Sequence, residues 1–295
     1  MVEVSPRDGL QNEKASISTA DKIELIERAI AGGSRRIEVT SFVNPRTVPQ
    51  MADAEAVCAG LPQRDDVTFI GLVMNRRGAD RALATGRIDQ LGAVAVATDT
   101  FAMANQGQSS DGSIDAAKEI VAAARDAGKT GQVTIGAAFG CPFEGEVAED
   151  RVIGMARALA EAVPVEIAIA DTIGVADPAR VTSLVMKLRD AVPHVPVRVH
   201  FHNTRGTGIA NVWAAVLAGA VSVDASIGGL GGCPFAPGAA GNVCTEDVLY
   251  MFERAGVRTG LDLASLIETN HWLSGLMGRS LPGMVAGAPP FPKSI

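Results

Sequence analysis

Two histidines stand two positions apart in the stretch VRVHFHNTRG, residues 197–206, of a chain that has only four histidines. Alternate residues of a strand face the same side, so a strand over 197–201 would direct His200 and His202 the same way, next to a polar turn. Imidazole is the commonest metal ligand in proteins. Two half-buried histidines bonded to backbone carbonyls would give the same pattern, and the pair alone does not decide between these interpretations.

Further ionisable residues fall where other predicted strands end. Arg7 and Asp8 follow the first predicted strand, Glu38 lies near the end of the second, and Asp171 follows the sixth. Each one has an ordinary alternative explanation, because Asp171, for example, would also serve as a helix cap. Their common position after strands is harder to explain without a shared site.

A glycine-rich segment follows the eighth predicted strand. It holds six glycines between Gly228 and Gly241, which predicts a mobile flap whose backbone closely approaches another group. Cys233 lies near its middle, between a glycine and a proline. A thiol on such a flap indicates a proton donor, a nucleophile or a redox switch rather than a core residue.

Eight β-rich runs alternate with helical patterns along the chain. Strands are predicted at residues 2–4, 36–39, 67–73, 90–97, 132–138, 165–170, 197–201 and 221–224. Helices are predicted near residues 19–32, 48–60, 77–86, 113–127, 146–162, 177–191, 206–219 and 245–255. Runs such as AVAVA and VEIAIA are typical of parallel strands that are buried on both faces. This pattern predicts an α/β fold, a (β/α)8 TIM barrel, rather than an open doubly wound sheet, whose first strand usually leads into a glycine-rich phosphate turn.

We predict a catalytic barrel over residues 1–258 and a C-terminal helical extension with a Pro/Gly-rich tail over 259–295. Barrel chemistry lies at the carboxyl ends of the strands, so the polar residues above share one mouth. Two imidazoles, the Asp8 carboxylate and the Asn242 amide oxygen form a mixed N/O donor set. Such a set suits an open, catalytic divalent-cation site better than a closed structural one.

The composition argues against several classes of protein. A net charge of −7 without a dense Lys/Arg cluster argues against nucleic-acid binding. No apolar stretch reaches the roughly 18 residues of a membrane span. No secretory or peroxisomal signal is recognisable, so we expect a cytoplasmic protein. The cysteines include no CxxC pair and indicate reduced thiols; they are Cys58, Cys141, Cys233 and Cys244.

Six segments taken together resemble the 3-hydroxy-3-methylglutaryl-CoA (HMG-CoA) lyase family. They are SPRDGLQNEK, IEVTSFVNPRTVPQMAD, GCPFEG, DTIGV, VHFHNT and GLGGCPFAPGAAGN, and the match runs from residue 2 to about 260. The resemblance implies a divalent-metal barrel enzyme that cleaves a carbon–carbon bond in an acyl-CoA and releases acetyl-CoA and a 3-oxo acid, acetoacetate for the usual substrate. It also implies a role in leucine degradation and a homo-oligomer, for which we expect a dimer.

The resemblance also implies roles for individual residues. Asp8, His200 and His202 would bind Mg²⁺ or Mn²⁺, with Asn242 as a ligand or next to one. A divalent cation that chelates the substrate hydroxyl and carboxylate would lower the pKa of the hydroxyl and fix the geometry of the substrate.

The remaining implied roles concern the reacting bonds. Arg7 would stabilise the enolate oxygen, and Glu38 would hold Arg7 in place. Asp171 would lie beside the substrate hydroxyl, where either Asp171 or His200 would be the general base. Cys233 would protonate the departing carbanion once water is excluded.

Two segments depart from the family pattern. The lyases usually have Tyr-Val-Ser where this chain has Thr134-Ile135-Gly136, and Asp-Thr-Tyr where it has Asn203-Thr204-Arg205. A cavity without the phenol is larger and lacks one hydrogen-bond partner, so we expect a relaxed or shifted acyl specificity, unless Arg205 supplies the missing contact. The expected substrate contacts are Arg7, Gln11, Ser41, Thr134, Thr172 and Arg205.

Two other functions fit parts of the pattern. A condensing synthase of the isopropylmalate or homocitrate type shares the Asp and HxH site, but such enzymes lack the GGCP flap. A barrel kept for binding or structure would not need the full set of polar residues at the mouth. Both alternatives are therefore less consistent with the sequence than a lyase.

Overall fold

The computed structural model describes residues 1–232, 241–289 and 291 of the chain. Eight parallel strands form a closed barrel in sequence order, and the first strand pairs with both the second and the eighth. The strands are β1 (Val2–Glu3), β2 (Arg36–Ser41), β3 (Thr68–Val73), β4 (Gln90–Val96), β5 (Thr130–Gly136), β6 (Ile167–Asp171), β7 (Val197–Phe201) and β8 (Ser222–Ala225). The predicted (β/α)8 TIM barrel is confirmed.

Ten α-helices lie in the described part of the chain. They are α1 (Thr19–Ala31), α2 (Ala54–Gly60), α3 (Arg76–Ala84), α4 (Asp99–Gln106), α5 (Ser110–Asp126), α6 (Glu149–Ala160), α7 (Pro178–Ala191), α8 (Gly208–Leu217), α9 (Thr245–Arg254) and α10 (Leu263–Met277). Capping side chains explain where two of these helices begin. The side chain of Ser18 caps α1, and that of Asp177, which is followed by a proline, caps α7. None of these helices is long and apolar enough to cross a membrane.

Three local features differ from the predicted elements. The predicted helix 48–60 is a 3₁₀ turn, Pro49–Met51, followed by α2. The short helix α4 was not predicted, because its sequence DTFAMANQ has little helical periodicity. Residues Ser5–Gly9, for which no element was predicted, form a single π-helical turn directly after β1.

The C-terminal extension contributes to the main hydrophobic core. Leu266 and Leu273 of α10 are fully buried and belong to the same apolar cluster as the barrel helices. The amide of Asp262 also donates to the carbonyl of Gly32, at the end of α1, over 2.9 Å. The division of the chain at residue 258 stays a prediction.

Apolar side chains are divided unequally between the two faces of the barrel wall. A continuous cluster fills the layer between the strands and the helices. A separate cluster of buried apolar residues consists of Val2, Val4 and Ile70. Val2 and Val4 alternate with Glu3 along β1, and Glu3 hydrogen-bonds to Thr245, at the start of α9. The small cluster therefore lies on the inner side of the wall, where polar side chains take most of the remaining space.

Candidate active site

The turn after β1 brings Arg7 and Asp8 to the mouth of the barrel. The amides of Arg7 and Gly9 both donate to the carbonyl of Val4, which tightens the turn around these two side chains. The mouth is formed by the carboxyl ends of the strands, as the sequence predicts. Five of the predicted catalytic and metal-binding residues, Arg7, Asp8, Glu38, His200 and His202, meet here.

Asp8, His200 and His202 form a compact cluster of possible metal ligands. One ligand atom from each residue lies within 4.8 Å of the others. His200 Nε2 is 3.9 Å from Asp8 Oδ2, and the two imidazole rings have centroids 5.2 Å apart. His202 Nδ1 is buried and has no hydrogen-bond partner among the described residues. A carboxylate, two imidazoles and an unpaired ring nitrogen fit a divalent cation.

The protonation states at this cluster leave ligand atoms available to a cation. Burial raises the pKa of Asp8, but the Arg7 guanidinium and the two imidazoles outweigh burial and hold the pKa below its usual value. Burial, and then the neighbouring His200, lower the pKa of His202 to about 4, so this imidazole is neutral at pH 7. Burial lowers the pKa of His200 as well, but the carboxylates of Asp224 and Asp8 outweigh it and the net shift is upward. A cation would therefore find one anionic ligand and one neutral imidazole already in place.

Arg7 is held by two carboxylates. Its Nε donates to Glu38 and its Nη1 donates to Asp8 Oδ1. The Glu38 side chain is only 4% exposed, whereas that of Arg7 is 12% exposed. Glu38 is thus more deeply buried than Arg7 and contacts its guanidinium, as the family resemblance implies for this pair.

Asn242 lies beside the cluster. Its Nδ2 donates to Asp8 Oδ2 over 2.8 Å and to the carbonyl of Leu230 over 3.1 Å, and Asn242 forms an isolated β-bridge with His202. In this arrangement its amide orients the Asp8 carboxylate. Its role as a cation ligand stays a prediction.

Asp171 is fully buried and orders the loop after β6. Its two carboxylate oxygens accept the amides of Val175 and Ala176, both over 2.9 Å. Burial raises its pKa, partly offset by these two bonds. Asp171 therefore has a structural function in this loop, and its predicted role beside the substrate hydroxyl stays a prediction.

Two other predicted contacts involve the same loop, Thr172 as part of it and Arg205 as a residue bonded to it. Arg205 is exposed, and its Nη1 donates to the carbonyls of Ile173 and Gly174 over 2.7 and 3.0 Å. Thr172 Oγ1 accepts the amide of Ala137 over 3.0 Å. Arg205 thus connects the loops after β6 and β7.

Thr134 is a partly exposed residue of β5, opposite Val94 of β4 in register. Its Oγ1 accepts a hydrogen bond of 2.9 Å from Arg198 Nη2. Ser41 is buried and donates weakly to Gln11 Oε1 over 3.5 Å. Ser41 on β2 and Thr134 on β5 are separated by two strands of the barrel wall.

The predicted proton donor Cys233 lies outside the described residues. Three charged residues inside the barrel were missed by the sequence analysis: Glu166, Arg198 and Asp224. Arg198 stands two positions before His200 on β7. The alternation that singled out the histidine pair therefore also predicts that Arg198 shares its face.

A cavity of about 510 Å³ opens at the rim of the mouth. Its wall combines the segment after Asp8, the described glycines on either side of Cys233 and the end of α10. Lys14 and Arg279 supply positive charge to it, and Arg279 Nη2 donates to Glu13 Oε1 over 2.7 Å. A long anionic ligand could extend from the mouth into this cavity.

Comparison with known proteins gives a consistent result. The sequence profile of the HMGL-like family matches residues 1–273. An (R)-citramalyl-CoA lyase of Chloroflexus aurantiacus is 43% identical, over 98% of this chain and 94% of the relative. The hydroxymethylglutaryl-CoA lyase YngG of Bacillus subtilis is 39% identical, over 95% of this chain and 93% of the relative.

Solved structures agree with the sequence comparison. An HMG-CoA lyase of Acinetobacter baumannii, in complex with coenzyme A and 3-methylmalate, superimposes with a TM-score of 0.94 at 39% identity, covering 100% of this chain and 96% of that one. The HMG-CoA lyase of Bacillus subtilis gives a TM-score of 0.94 at 38% identity, covering 97% and 96%. Since the family profile and these relatives cover nearly the whole barrel and its mouth, the chain belongs to the HMGL-like family and is a lyase.

Proposed function

We propose that this lyase cleaves a 3-hydroxy-3-methylglutaryl-CoA-like thioester between C2 and C3. With HMG-CoA itself the products are acetyl-CoA and acetoacetate. The observation that carries the proposal is the meeting of a carboxylate-held Arg7 with the Asp8, His200 and His202 cluster at one barrel mouth. The cleavage needs both a cationic group at the thioester oxygen and a site that binds the hydroxyl end of the substrate.

The reaction breaks one carbon–carbon bond and transfers two protons. The 3-hydroxyl loses its proton to the general base, predicted to be Asp171 or His200, as the C2–C3 bond breaks. C3 becomes a carbonyl, and the electron pair of the broken bond forms the enolate of acetyl-CoA. Arg7 stabilises the negative charge as it develops on the thioester oxygen, and Glu38 keeps the guanidinium oriented without solvent reorganisation. A proton then returns to C2, for which Cys233 is the predicted donor.

Asp8, His200 and His202 would hold a divalent cation, with Asn242 orienting Asp8. Such a cation supplies Lewis-acid chemistry, which favours the deprotonated form of a coordinated hydroxyl. The neutral imidazole of His202 and the anionic Asp8 are prepared for this role by their surroundings. Mg²⁺ or Mn²⁺ is the proposed ion.

The rim cavity is the proposed site of the coenzyme A arm. It adjoins the turn that carries Asp8, and Lys14 and Arg279 lie in its wall as partners for phosphate groups. A homodimer, a cytoplasmic location and a role in leucine degradation remain part of the same proposal.

A second substrate is favoured by one relative and one residue. The Chloroflexus aurantiacus relative is named an (R)-citramalyl-CoA lyase, and in citramalyl-CoA the carboxylate is attached directly to the carbinol carbon. Thr134, in place of a phenol, removes one hydrogen-bond partner for the acyl group, because its hydroxyl is already bonded to Arg198. The loss of the phenol is a physical reason to expect that this lyase accepts a different acyl group from the usual lyases.

The test is cleavage by the purified protein with Mg²⁺ or Mn²⁺ and either thioester. Free acetyl-CoA and the oxo acid, acetoacetate or pyruvate, would be quantified separately. We expect acetyl-CoA in equal amount to one of these oxo acids. A folded, cation-loaded protein that releases acetyl-CoA from neither thioester would overturn the proposal.

A further inference from the structure

Four charged side chains of alternating sign lead through the inside of the barrel to His200. Arg36 Nη2 is 2.6 Å from Glu166 Oε1, and Arg198 Nε is 3.2 Å from the same oxygen. Arg198 Nη1 is 3.2 Å from Asp224 Oδ1, and Asp224 Oδ2 is 3.1 Å from His200 Nδ1. We call these five residues the axial ladder. It begins at the start of β2 and ends in the candidate cation cluster.

The central part of the axial ladder is inaccessible to solvent. The Arg198 side chain is 1% exposed, and those of Glu166 and Asp224 are each 5% exposed. Buried charges are retained only when they are paired, because removal from water costs several kcal/mol per ion. Glu166 already accepts two nitrogens of Arg36. The hydrogen bonds of Arg198 therefore go to Asp224 and to the hydroxyl of Thr134.

The contact between Asp224 and His200 determines which ring nitrogen of His200 faces the cation cluster. Because Asp224 Oδ2 faces Nδ1, that nitrogen donates its proton to the carboxylate, which leaves the lone pair of Nε2 toward Asp8. Arg198 occupies the other oxygen of the same carboxylate and so prevents Asp224 from rotating away. A carboxylate behind an imidazole generally fixes its tautomer and orientation for metal binding.

Arg198 also contacts Thr134, which the sequence predicts as a substrate contact. Its Nη2 donates to Thr134, which is partly exposed inside the barrel, while its Nη1 contacts the carboxylate that orients His200. One rigid guanidinium thus touches both a predicted substrate contact and the carboxylate that supports a candidate cation ligand. A change at position 134 is therefore transmitted to His200 through two hydrogen bonds and one side chain.

We propose that Asp224 and Arg198 are positioning residues that fix His200 for cation binding, and that Thr134 couples the substrate wall to this cation ligand through Arg198. The proposal rests on the proposed function only in taking Asp8, His200 and His202 as cation ligands. It is therefore tested on cation affinity and on the state of the imidazole, neither of which requires turnover.

The main experiment compares the dissociation constant of Mn²⁺ between variants, by titration calorimetry or by the paramagnetic resonance of free Mn²⁺. Asp224→Asn keeps an oxygen for Arg198 but removes the proton acceptor of His200, and we expect binding about 10- to 100-fold weaker. The matched control, Glu166→Gln, makes the same carboxylate-to-amide change beside the same guanidinium without touching His200. Because the amide still offers an oxygen to Arg36 and Arg198, and His200 keeps its proton acceptor, we expect the affinity to stay within about twofold of the wild type.

Thr134→Val tests the coupling. It removes the hydroxyl and nearly keeps the shape, so Arg198 loses one acceptor and we expect about threefold weaker Mn²⁺ binding. Unchanged affinity in Thr134→Val would overturn the coupling. Equal affinity in Asp224→Asn and wild type, or an equal loss in Glu166→Gln, would overturn the positioning role.

A measurement on the wild type keeps the proposal testable if a variant does not fold. Long-range ¹H–¹⁵N spectra of the histidine rings, recorded with bound Mg²⁺, should show the proton of His200 on Nδ1. A proton on Nε2 instead would overturn the proposal. A wild-type protein that binds Mn²⁺ but cleaves no thioester would overturn the proposed function alone, and a wild type without Mn²⁺ affinity would overturn both.

Discussion

The two faces of the barrel wall carry different kinds of side chain, mainly apolar on the outer face and largely charged on the inner face. Between strands and helices, apolar side chains pack into one continuous cluster. Inside the barrel, the apolar cluster of Val2, Val4 and Ile70 lies beside the charges of the axial ladder. The outer layer removes apolar surface from water and so supplies most of the free energy of folding. The inner layer uses its space for oriented charges, which contribute little net stability.

Two buried carboxylates show what this difference means. Glu3 lies in the outer layer and accepts the amides of Ser5 and Ile227 and the hydroxyl of Thr245. Burial raises its pKa to about 7, because these hydrogen bonds offset only part of the desolvation. Burial also acts on Asp224 inside the barrel, but the charge of Arg198 and the bond to His200 outweigh it and lower the pKa of Asp224. At these two carboxylates, the negative charge is thus compensated by charged groups inside the barrel and by hydrogen-bond dipoles outside it.

Removal of the cation should have the largest effect, since it removes the counter-charge of the inner layer. Treatment with EDTA should abolish thioester cleavage, and Mg²⁺ or Mn²⁺ should restore it. His202→Ala should raise the cation concentration for half-maximal activity by about tenfold or more. The control is His271→Ala, which removes an exposed histidine of α10. Undiminished turnover after exhaustive chelation would contradict this prediction.

Loss of the mouth guanidinium should affect catalysis far more than substrate binding. Arg7→Met should lower kcat about 10²- to 10³-fold with little change in KM, because the enolate charge exists only near the transition state. Steady-state kinetics would be compared with those of Arg76→Met, which removes an exposed arginine of α3. A raised KM with unchanged kcat would instead make Arg7 a substrate-binding residue.

Truncation in the outer layer should have the reverse effect. Leu25→Ala, at a residue of α1 that is 1% exposed, should lower the free energy of unfolding by about 3 kcal/mol and leave kcat unchanged while the protein is folded. Leu217→Ala, at a residue of α8 that is 70% exposed, should change the stability by less than about 0.5 kcal/mol. Urea denaturation of both variants gives the two numbers. A large fall in kcat for Leu25→Ala would contradict the assignment of stability to the outer layer and catalysis to the inner layer.

Glu3 should make the stability depend on pH. Its folded-state pKa of about 7 lies above the ordinary value of 4.5, so the folded state holds this proton more tightly than the unfolded state. The contribution of Glu3 to stability is therefore fully present below pH 4.5 and is lost as the pH rises toward 7. Relative to Glu3→Gln, the wild type should lose stability between pH 5 and pH 8. Urea denaturation at both pH values measures this difference, and a constant difference would show that the carboxyl is paired more strongly than its contacts indicate.

The smallest predicted effect concerns substrate preference. Thr134→Tyr restores bulk and a phenol, so it should raise kcat/KM for HMG-CoA relative to a thioester bulkier at C3. The wild type should show the opposite preference. Because the change also removes the acceptor of Arg198, its Mn²⁺ affinity should be measured alongside. Strong preference of the wild type for HMG-CoA, with no gain in the variant, would show that another residue supplies the contact.

The fold was predictable because parallel strands that are buried on both sides appear in the sequence as continuous apolar runs. The meeting of Asp8, His200 and His202 followed from the rule that barrel chemistry lies at the strand ends. The axial ladder was missed because charged residues within strands were not given the alternation test that the histidines received. The bonds of Asp171 and Arg205 to loop backbone could not be predicted, since they depend on how separate loops approach each other.

The pairing of β1 with β8 has a consequence for the order in which the molecule is made. Asp8 follows the first strand, whereas His200 and His202 end the seventh, so the possible ligands come from both ends of the sheet. They meet only when Val2 and Glu3 pair with Asp224 and Ala225. During translation, Asp8 is synthesised long before β8, the strand with which β1 pairs. Cation binding therefore cannot guide the early steps of folding, and it instead stabilises the final closure of the barrel.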